Sequence, residues 1–182
     1  MIRIFFAVPL PDEVQRILQD LQDQLRDLSG RVRWVKPAST HLTLKFIGEV
    51  EEERARHLWE ALEDVELPEP HQVPLTQTGV FPNPGRARVL WVGLEQTDPV
   101  MHLAERIETR SEQEGVAPDR RKFHPHLTLG RVKRRGISRR QVDTFLHLEV
   151  PDAVIPVQSI VCYQSDLQPD GAVYTSLHTI NL

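Results

Sequence analysis

The tetrapeptide His-Leu-Thr-Leu occurs twice, at residues 41–44 and 126–129, 85 residues apart. Side chains of a β-strand alternate between its two faces. On a strand, His41 and Thr43 therefore share one face, with Leu42 and Leu44 behind them. His126 and Thr128 repeat the arrangement, backed by Leu127 and Leu129. Two imidazoles facing one cleft can serve as a general acid and a general base. An unperturbed histidine pKa of ~6.5 makes both protonation states accessible near neutrality. Each such proton transfer is typically worth ~10²–10⁴ in rate. The threonine hydroxyls can donate hydrogen bonds to non-bridging phosphate oxygens, where negative charge sits in the transition state. The set suits phosphodiester hydrolysis without a metal. A single strand histidine is more often structural than catalytic, and a duplication alone could leave two. The spacing treats the two histidines alike.

A rival chemistry is metal binding. His124 and His126 are two residues apart and, with His41, could make a three-histidine zinc site. No carboxylate or cysteine pattern stands beside them, and Pro125 stiffens the chain between them. His57, His71, His102, His147 and His178 lie in helical or irregular contexts and carry no pattern.

The elements that must position these residues follow from hydrophobic periodicity. Ile2 to Val8 reads as a strand. Val14, Ile17, Leu18, Leu21, Leu25 and Leu28 predict a helix that opens after Pro11-Asp12 and stops at Gly30. Val32 to Val35 is a short extended piece, and His41 to Ile47 a strand ended by Gly48. Glu51 to Val65 is a second helix, and Val73 to Phe81 a strand. The order then repeats, with a strand at Arg88 to Leu94 and a helix from Asp98 to near Gly115. A strand at His126 to Val132 and a helix at Ser138 to Leu148 follow. Val154 to Tyr163 and Val173 to Ile180 read as closing strands. RIFFAVPL at 3–10 aligns with RVLWVGL at 88–94, and Asp12 with Asp98. The predicted fold is α+β. Two duplicated strand-helix-strand units related by pseudo-twofold symmetry form one bilobal domain over residues 1–182, with two antiparallel sheets lining a central cleft and helices outside.

The chain has 182 residues, a net charge of −4 and 40% hydrophobic residues, the composition of a globular protein. No run approaches the roughly 20 apolar residues of a membrane span. The start MIRIFFAVPL lacks a small-residue cleavage site and reads as a strand, not a signal peptide. Cys162 stands alone, which excludes an intrachain disulfide framework and a cysteine-rich metal site. A cytoplasmic, monomeric protein is the expectation. Nine of the 22 lysines and arginines fall between Arg120 and Arg140, which points to an anionic ligand at one place.

The motifs THLTLKFIGEV at 40–50 and FHPHLTLGR at 123–131 resemble those of the 2H phosphoesterase superfamily. With the opening RIFFAVPLP, the strand ARVLWVGL and the ending YQSDLQPDGAVYTSLHTINL, nearly the whole chain is similar to the bacterial RNA 2′,3′-cyclic phosphodiesterases, historically called 2′-5′ RNA ligases. The resemblance implies hydrolysis of an RNA 2′,3′-cyclic phosphate end to a 2′-phosphate, with no metal or other cofactor. It implies that His41 donates a proton to the leaving group and that His126 takes one from water. Thr43 and Thr128 match the motif threonines that hold the phosphate, and Arg131 matches an arginine placed to meet it. By simple alternation Arg131 points away from His126, unless the strand twists past Gly130. Phe46 matches an aromatic position able to stack on a base, yet its parity places it with the core leucines, and core is the expectation. The basic residues 120–140 would engage the RNA backbone. Two alternatives remain: an enzyme for small cyclic nucleotides, possible also as a joiner of 2′,5′-linked RNA, and a non-catalytic module that binds RNA ends.

Overall fold

The computed structural model describes residues 1–28, 30–168 and 171–182. Nine strands and four α-helices run in the order β1 (Ile2–Pro9), α1 (Asp12–Asp23), β2 (Val32–Trp34), β3 (His41–Val50), α2 (Glu52–Glu63), β4 (His71–Phe81), β5 (Val89–Leu94), α3 (Asp98–Gln113), β6 (His126–Val132), α4 (Arg139–Leu146), β7 (Val154–Val157), β8 (Ser159–Gln168) and β9 (Gly171–Asn181). The apolar periodicity at the start overran the first helix. α1 ends at Asp23, and Leu25, just beyond it, and Leu28, in the 3₁₀ turn Arg26–Leu28 that follows, still reach the core. Ser138 lies outside α4 as its N-cap. Its hydroxyl accepts from the Gln141 amide while the Gln141 side chain returns to the Ser138 amide.

All strand pairs are antiparallel, in two sheets. One has the order β3-β1-β8-β9 and the other β2-β6-β5-β4-β7. The duplicated pairs β1–β3 and β5–β6 occupy matching places, as the repeated sequence requires. The two units are not self-contained, however. β2 and β4 of the first half complete the second sheet, and β8 and β9 complete the first. Two strands alone leave long unpaired edges, and a third or fourth is needed for an independently stable sheet. The predicted strand at Val154 to Tyr163 accordingly splits, with β7 on the edge of the second sheet and β8 inside the first. Ile4, Phe6 and Val8 of β1, Leu42 and Leu44 of β3, and Leu127 and Leu129 of β6 are buried in the core, which also takes Val14, Leu18 and Leu21 of α1. Among the described residues no helix is long and apolar enough to cross a membrane.

Lys45 is the unexpected buried residue, 1% exposed. Its Nζ lies 2.6 Å from Glu108 and 3.4 Å from Asp119, and donates to the Ala117 carbonyl at 3.3 Å. It ties β3 to α3 and to the segment leading to β6.

The same irregularity interrupts both motif strands. Phe6 pairs with Lys45 but Ala7 with Thr43, so Leu44 is an extra residue in β3. Leu90 pairs with Gly130 but Trp91 with Thr128, so Leu129 is an extra residue in β6. Each is a β-bulge, which resets the alternation beyond it. Neighbouring elements hold the second bulge. The Leu129 carbonyl accepts the Val35 amide at 2.9 Å and Nε2 of buried Gln22 at 3.1 Å. Gln22 also donates to the Val35 carbonyl at 2.7 Å. A Cβ on Gly130 would stand 2.6 Å from Val32 Cγ1 and 2.8 Å from Trp34 Cε3, so the close approach of β2 requires glycine there. The Gln22→Leu variant strips the Val35 carbonyl of its side-chain donor in a buried setting. It is expected to lose about 1–3 kcal/mol of stability, read as a lower denaturation midpoint at constant m-value.

Candidate active site

β3 and β6 belong to different sheets but approach one another across the cleft between them. Each brings its histidine and threonine to the face away from the core leucines. His41 Nδ1 lies 3.1 Å from the Ser39 carbonyl, and His126 Nδ1 lies 2.7 Å from the His124 carbonyl. A carbonyl only accepts, so each Nδ1 carries the hydrogen and donates it. In the neutral ring, Nε2 is left as the free base. Among the described residues no side chain or carbonyl engages either Nε2, nor the hydroxyl of Thr43 or Thr128.

Each imidazole stands in an aromatic enclosure. The His41 ring lies 4.5 Å from Phe5, 5.1 Å edge-on from Tyr174 and 6.0 Å from Tyr163. The His126 ring lies 5.0 Å edge-on from Phe81 and 6.3 Å from both Trp91 and His124. These walls make the charged imidazolium costly. Burial pushes the His41 pKa down to about 4, against the pull of the Ser39 carbonyl. Burial also lowers His126, opposed by the His124 carbonyl and reinforced by the positive charges of His124 and Arg131.

The bulges correct two expectations from strand parity. Arg131 does not point away from His126. With Leu129 looped out of register, Gly130 falls on the core side and Arg131 is exposed on the cleft side, close enough for its charge to act on His126. The same charge, with that of Arg3, acts on Tyr174, the ring edge-on to His41, against the upward push of burial. The correction comes from a bulge, not from a twist past Gly130, and β6 continues to Val132. Phe46 is likewise not a core residue. Beyond the bulge at Leu44 it turns to the cleft face, 50% exposed, with its ring 5.4 Å from Phe5. The two motifs place Phe46 and Arg131 at equivalent positions, an aromatic ring in one half and a guanidinium in the other. That difference breaks the symmetry of a site whose histidines and threonines are duplicated.

Sequence reasoning missed the enclosing rings. Phe5 and Trp91 lie on the aligned first strands of the two halves but at different positions, since the alignment sets Trp91 against Phe6. Tyr163, Tyr174 and Phe81 had no repeat to reveal them. Gly79 makes room for Trp91, whose ring would lie 2.1 Å from a Cβ there. The three-histidine alternative has no supporting geometry. Among the described residues no group of three His, Cys, Asp or Glu side chains is gathered to hold a metal ion. His124 instead packs its ring 5.2 Å from both Phe81 and Trp91. Cys162 is buried and its thiol is pushed up to about 12, which leaves it protonated and poorly nucleophilic. Concavity alone does not mark this cleft, because depressions of about 800 and 740 Å³ lie elsewhere, beside α3 and α4.

Comparison with known proteins finds the same duplication. The family described as LigT like Phosphoesterase matches twice, over residues 8–91 and 92–174, once for each motif. The RNA 2′,3′-cyclic phosphodiesterase of Thermus thermophilus is 35% identical, with 99% of this chain and 90% of that protein covered. The protein of that name from Archaeoglobus fulgidus is 32% identical, covering 96% of this chain and 97% of its own length. Among solved structures, E. coli LigT complexed with 3′-AMP superposes with a TM-score of 0.80 at 25% identity, covering 100% of this chain and 98% of the other. A cleft with two histidine-threonine pairs, in a chain whose halves each match the same family, has one consistent assignment: the protein belongs to the LigT-like phosphoesterases of the 2H superfamily.

Proposed function

We propose that the protein hydrolyses RNA 2′,3′-cyclic phosphate ends to 2′-phosphates by a two-histidine mechanism that needs no metal, with residues 1–182 acting as one catalytic unit. The observation that carries this reading is the pair of motif histidines on the contacting strands β3 and β6, each with Nδ1 held by a backbone carbonyl and Nε2 without a protein partner among the described residues. The names of relatives more than 30% identical over nearly the full chain support the substrate. The 3′-AMP bound to E. coli LigT supports a nucleotide in the cleft. Water attacks phosphorus in line and gives its proton to His126 Nε2. The P–O3′ bond breaks, and O3′ takes a proton from His41 Nε2. The products are a 2′-phosphate and a 3′-hydroxyl. Thr43, Thr128 and Arg131 hold the non-bridging oxygens, where the guanidinium meets developing negative charge. The free enzyme holds little His41 imidazolium at neutral pH. The bound phosphate, an anion between the rings, favours it. Ligation to a 2′,5′ linkage is the same displacement, with an RNA 5′-hydroxyl attacking the cyclic phosphate in place of water: it gives its proton to His126, O3′ leaves with a proton from His41, and the 2′-oxygen stays on phosphorus. The reaction belongs to a cytoplasmic enzyme working as a monomer.

The direct test incubates the protein with EDTA and an oligonucleotide ending in a 2′,3′-cyclic phosphate. A 2′-phosphate product supports the reading. A 3′-phosphate product, or turnover only on added zinc, contradicts it.

Two further outcomes follow from the geometry. The plot of kcat/KM against pH reports free-enzyme ionisations. Both histidines have lowered pKa values, so one imidazole is protonated while the other is neutral only in acid. Expected is an alkaline limb below the ordinary value of ~6.5, with activity falling as pH rises past it. A limb at or above that value contradicts the buried setting. Phe46 is placed to stack on the terminal base, a contact worth about 1–3 kcal/mol. The Phe46→Ala variant is expected to raise KM for a cyclic nucleotide while leaving turnover of ribose 2′,3′-cyclic phosphate, which has no base, near wild type.

A further inference from the structure

Arg131 is not an isolated cation. β2 pairs with β6 so that Arg33 stands directly opposite Arg131, between the buried pair Val32 and Val132 and the close pair Trp34 and Gly130. The Lys133 amide donates to the Arg31 carbonyl at 2.8 Å, which carries the pairing one step further. Alternation about buried Val32 and Val132 puts Arg33 and Arg131 on one face, the face that presents His126, and Arg31 and Lys133 continue the row just beyond the two strands, where they donate to the Gly136 and Gly30 carbonyls at 3.3 and 3.4 Å. All four are exposed, and among the described residues none makes an ion pair. The row leads away from the cleft into the depression of about 740 Å³ beside α4, whose lining includes Arg31, Arg135 and Arg140 with Asp27 as its acidic member. Arg120, Arg121 and Lys122 lie apart, next to Asp119, which pairs with Lys45 of the first sheet. The basic zone of the sequence thus gains Arg33 of β2 and Arg31 just before that strand, which its spacing did not include.

We propose that Arg33, Arg31 and Lys133, running on toward Arg135, form a track for the phosphates of the nucleotides preceding the cyclic end. The proposal rests on the reading of the cleft as the cyclic-phosphate site, and it makes a single-stranded RNA end, not a free nucleotide, the preferred substrate. Alternate residues of a strand repeat every ~6.6 Å, of the order of one nucleotide step along an extended chain. Unpaired cations without carboxylate partners are the composition of a polyanion site, and a row starting beside the reacting phosphate has the placement of one.

The test compares a 2′,3′-cyclic mononucleotide with a tetranucleotide bearing the same end, across a series of NaCl concentrations. Wild-type protein is expected to favour the tetranucleotide in kcat/KM by on the order of tenfold or more at low salt. The log–log salt slope should be steeper by about 0.7 for each additional phosphate engaged. In the double variant Arg31→Ser, Lys133→Ser that advantage shrinks and the slope falls by about 1.4, while the mononucleotide, which has no phosphate to reach these residues, keeps its kcat/KM. Equal treatment of the two substrates by the wild type overturns the track. So does an unchanged slope in the variant, or an equal loss on both substrates. Binding of a tetranucleotide ending in a 2′-phosphate, followed by fluorescence anisotropy over the same salt series, reads the track without turnover. If no cyclic phosphate is hydrolysed but the slope of binding drops in the variant, the function fails and the track stands.

Discussion

His41→Ala and His126→Ala are each expected to lower kcat by about 10²–10⁴, with KM for a cyclic nucleotide changed far less. In the proposed mechanism two threonines and a guanidinium hold the phosphate, and each ring acts only at the moment a proton moves. Both Nε2 atoms are free, and both Nδ1 hydrogens are anchored to carbonyls two residues earlier in the chain. The local geometry thus prepares the two rings identically, and the roles differ only through what surrounds them. If the two rings act in one concerted displacement, as proposed, the double variant should lose little more than the worse single variant. Losses that multiply would mean two independent contributions and would contradict a paired acid and base. Wild-type turnover in either single variant would remove that histidine from the mechanism.

Loss of Arg131 should have the next largest effect. The Arg131→Ala variant is expected to lose about 10²–10³ in kcat/KM, the usual size for removing one donor to a developing oxyanion. Arg131→Lys should recover part of it, since an ammonium supplies the charge but not the planar fork. A second signature separates this from general damage. The Arg131 charge helps to lower the His126 pKa, so removing it should move the alkaline limb of the pH profile upward. The Gly130→Ala variant provides a structural control. Its Cβ meets Val32 and Trp34, so β2 or the bulge must move. Arg131 then loses its place without being altered, and the expected loss in kcat/KM resembles that of Arg131→Lys. Full activity in Gly130→Ala would show that the guanidinium does not depend on the bulge for its aim.

The fold class was legible because the chain states it twice. Period-two leucines behind each His and Thr, and one pattern of strand, helix and strand repeated after 85 residues, give the two sheets and the facing motifs. Strand exchange between the halves was not legible. Which edge β2 or β8 joins depends on long-range pairing that no local periodicity encodes. The bulges were the costlier omission. Strand parity is reliable only while the register is unbroken, and the extra residues Leu44 and Leu129 moved Phe46 and Arg131 to the cleft, with a further extra residue, Ile47, later along β3. The signal for the second was present in Gly130, since glycine inside a strand often marks a bulge or a close backbone approach. Lys45 at the equivalent position hid the first. Its burial is satisfied by Glu108 and Asp119, partners 63 and 74 residues away in the chain. The low pKa values were equally out of reach, because they come from rings on β1, β4, β5, β8 and β9 that close around two histidines only in the folded chain.

The division of labour between the histidines can be tested with one substrate change. A cyclic phosphate with sulfur in place of the bridging O3′ has a thiolate leaving group, which departs without a proton from an acid. His41→Ala should then hydrolyse the sulfur substrate at a rate near that of the wild type, while His126→Ala stays inactive on it, because water must still be deprotonated. If sulfur rescues His126→Ala instead, the acid and the base are exchanged. If it rescues neither variant, the two imidazoles do not act as a general acid and a general base, and the central claim fails.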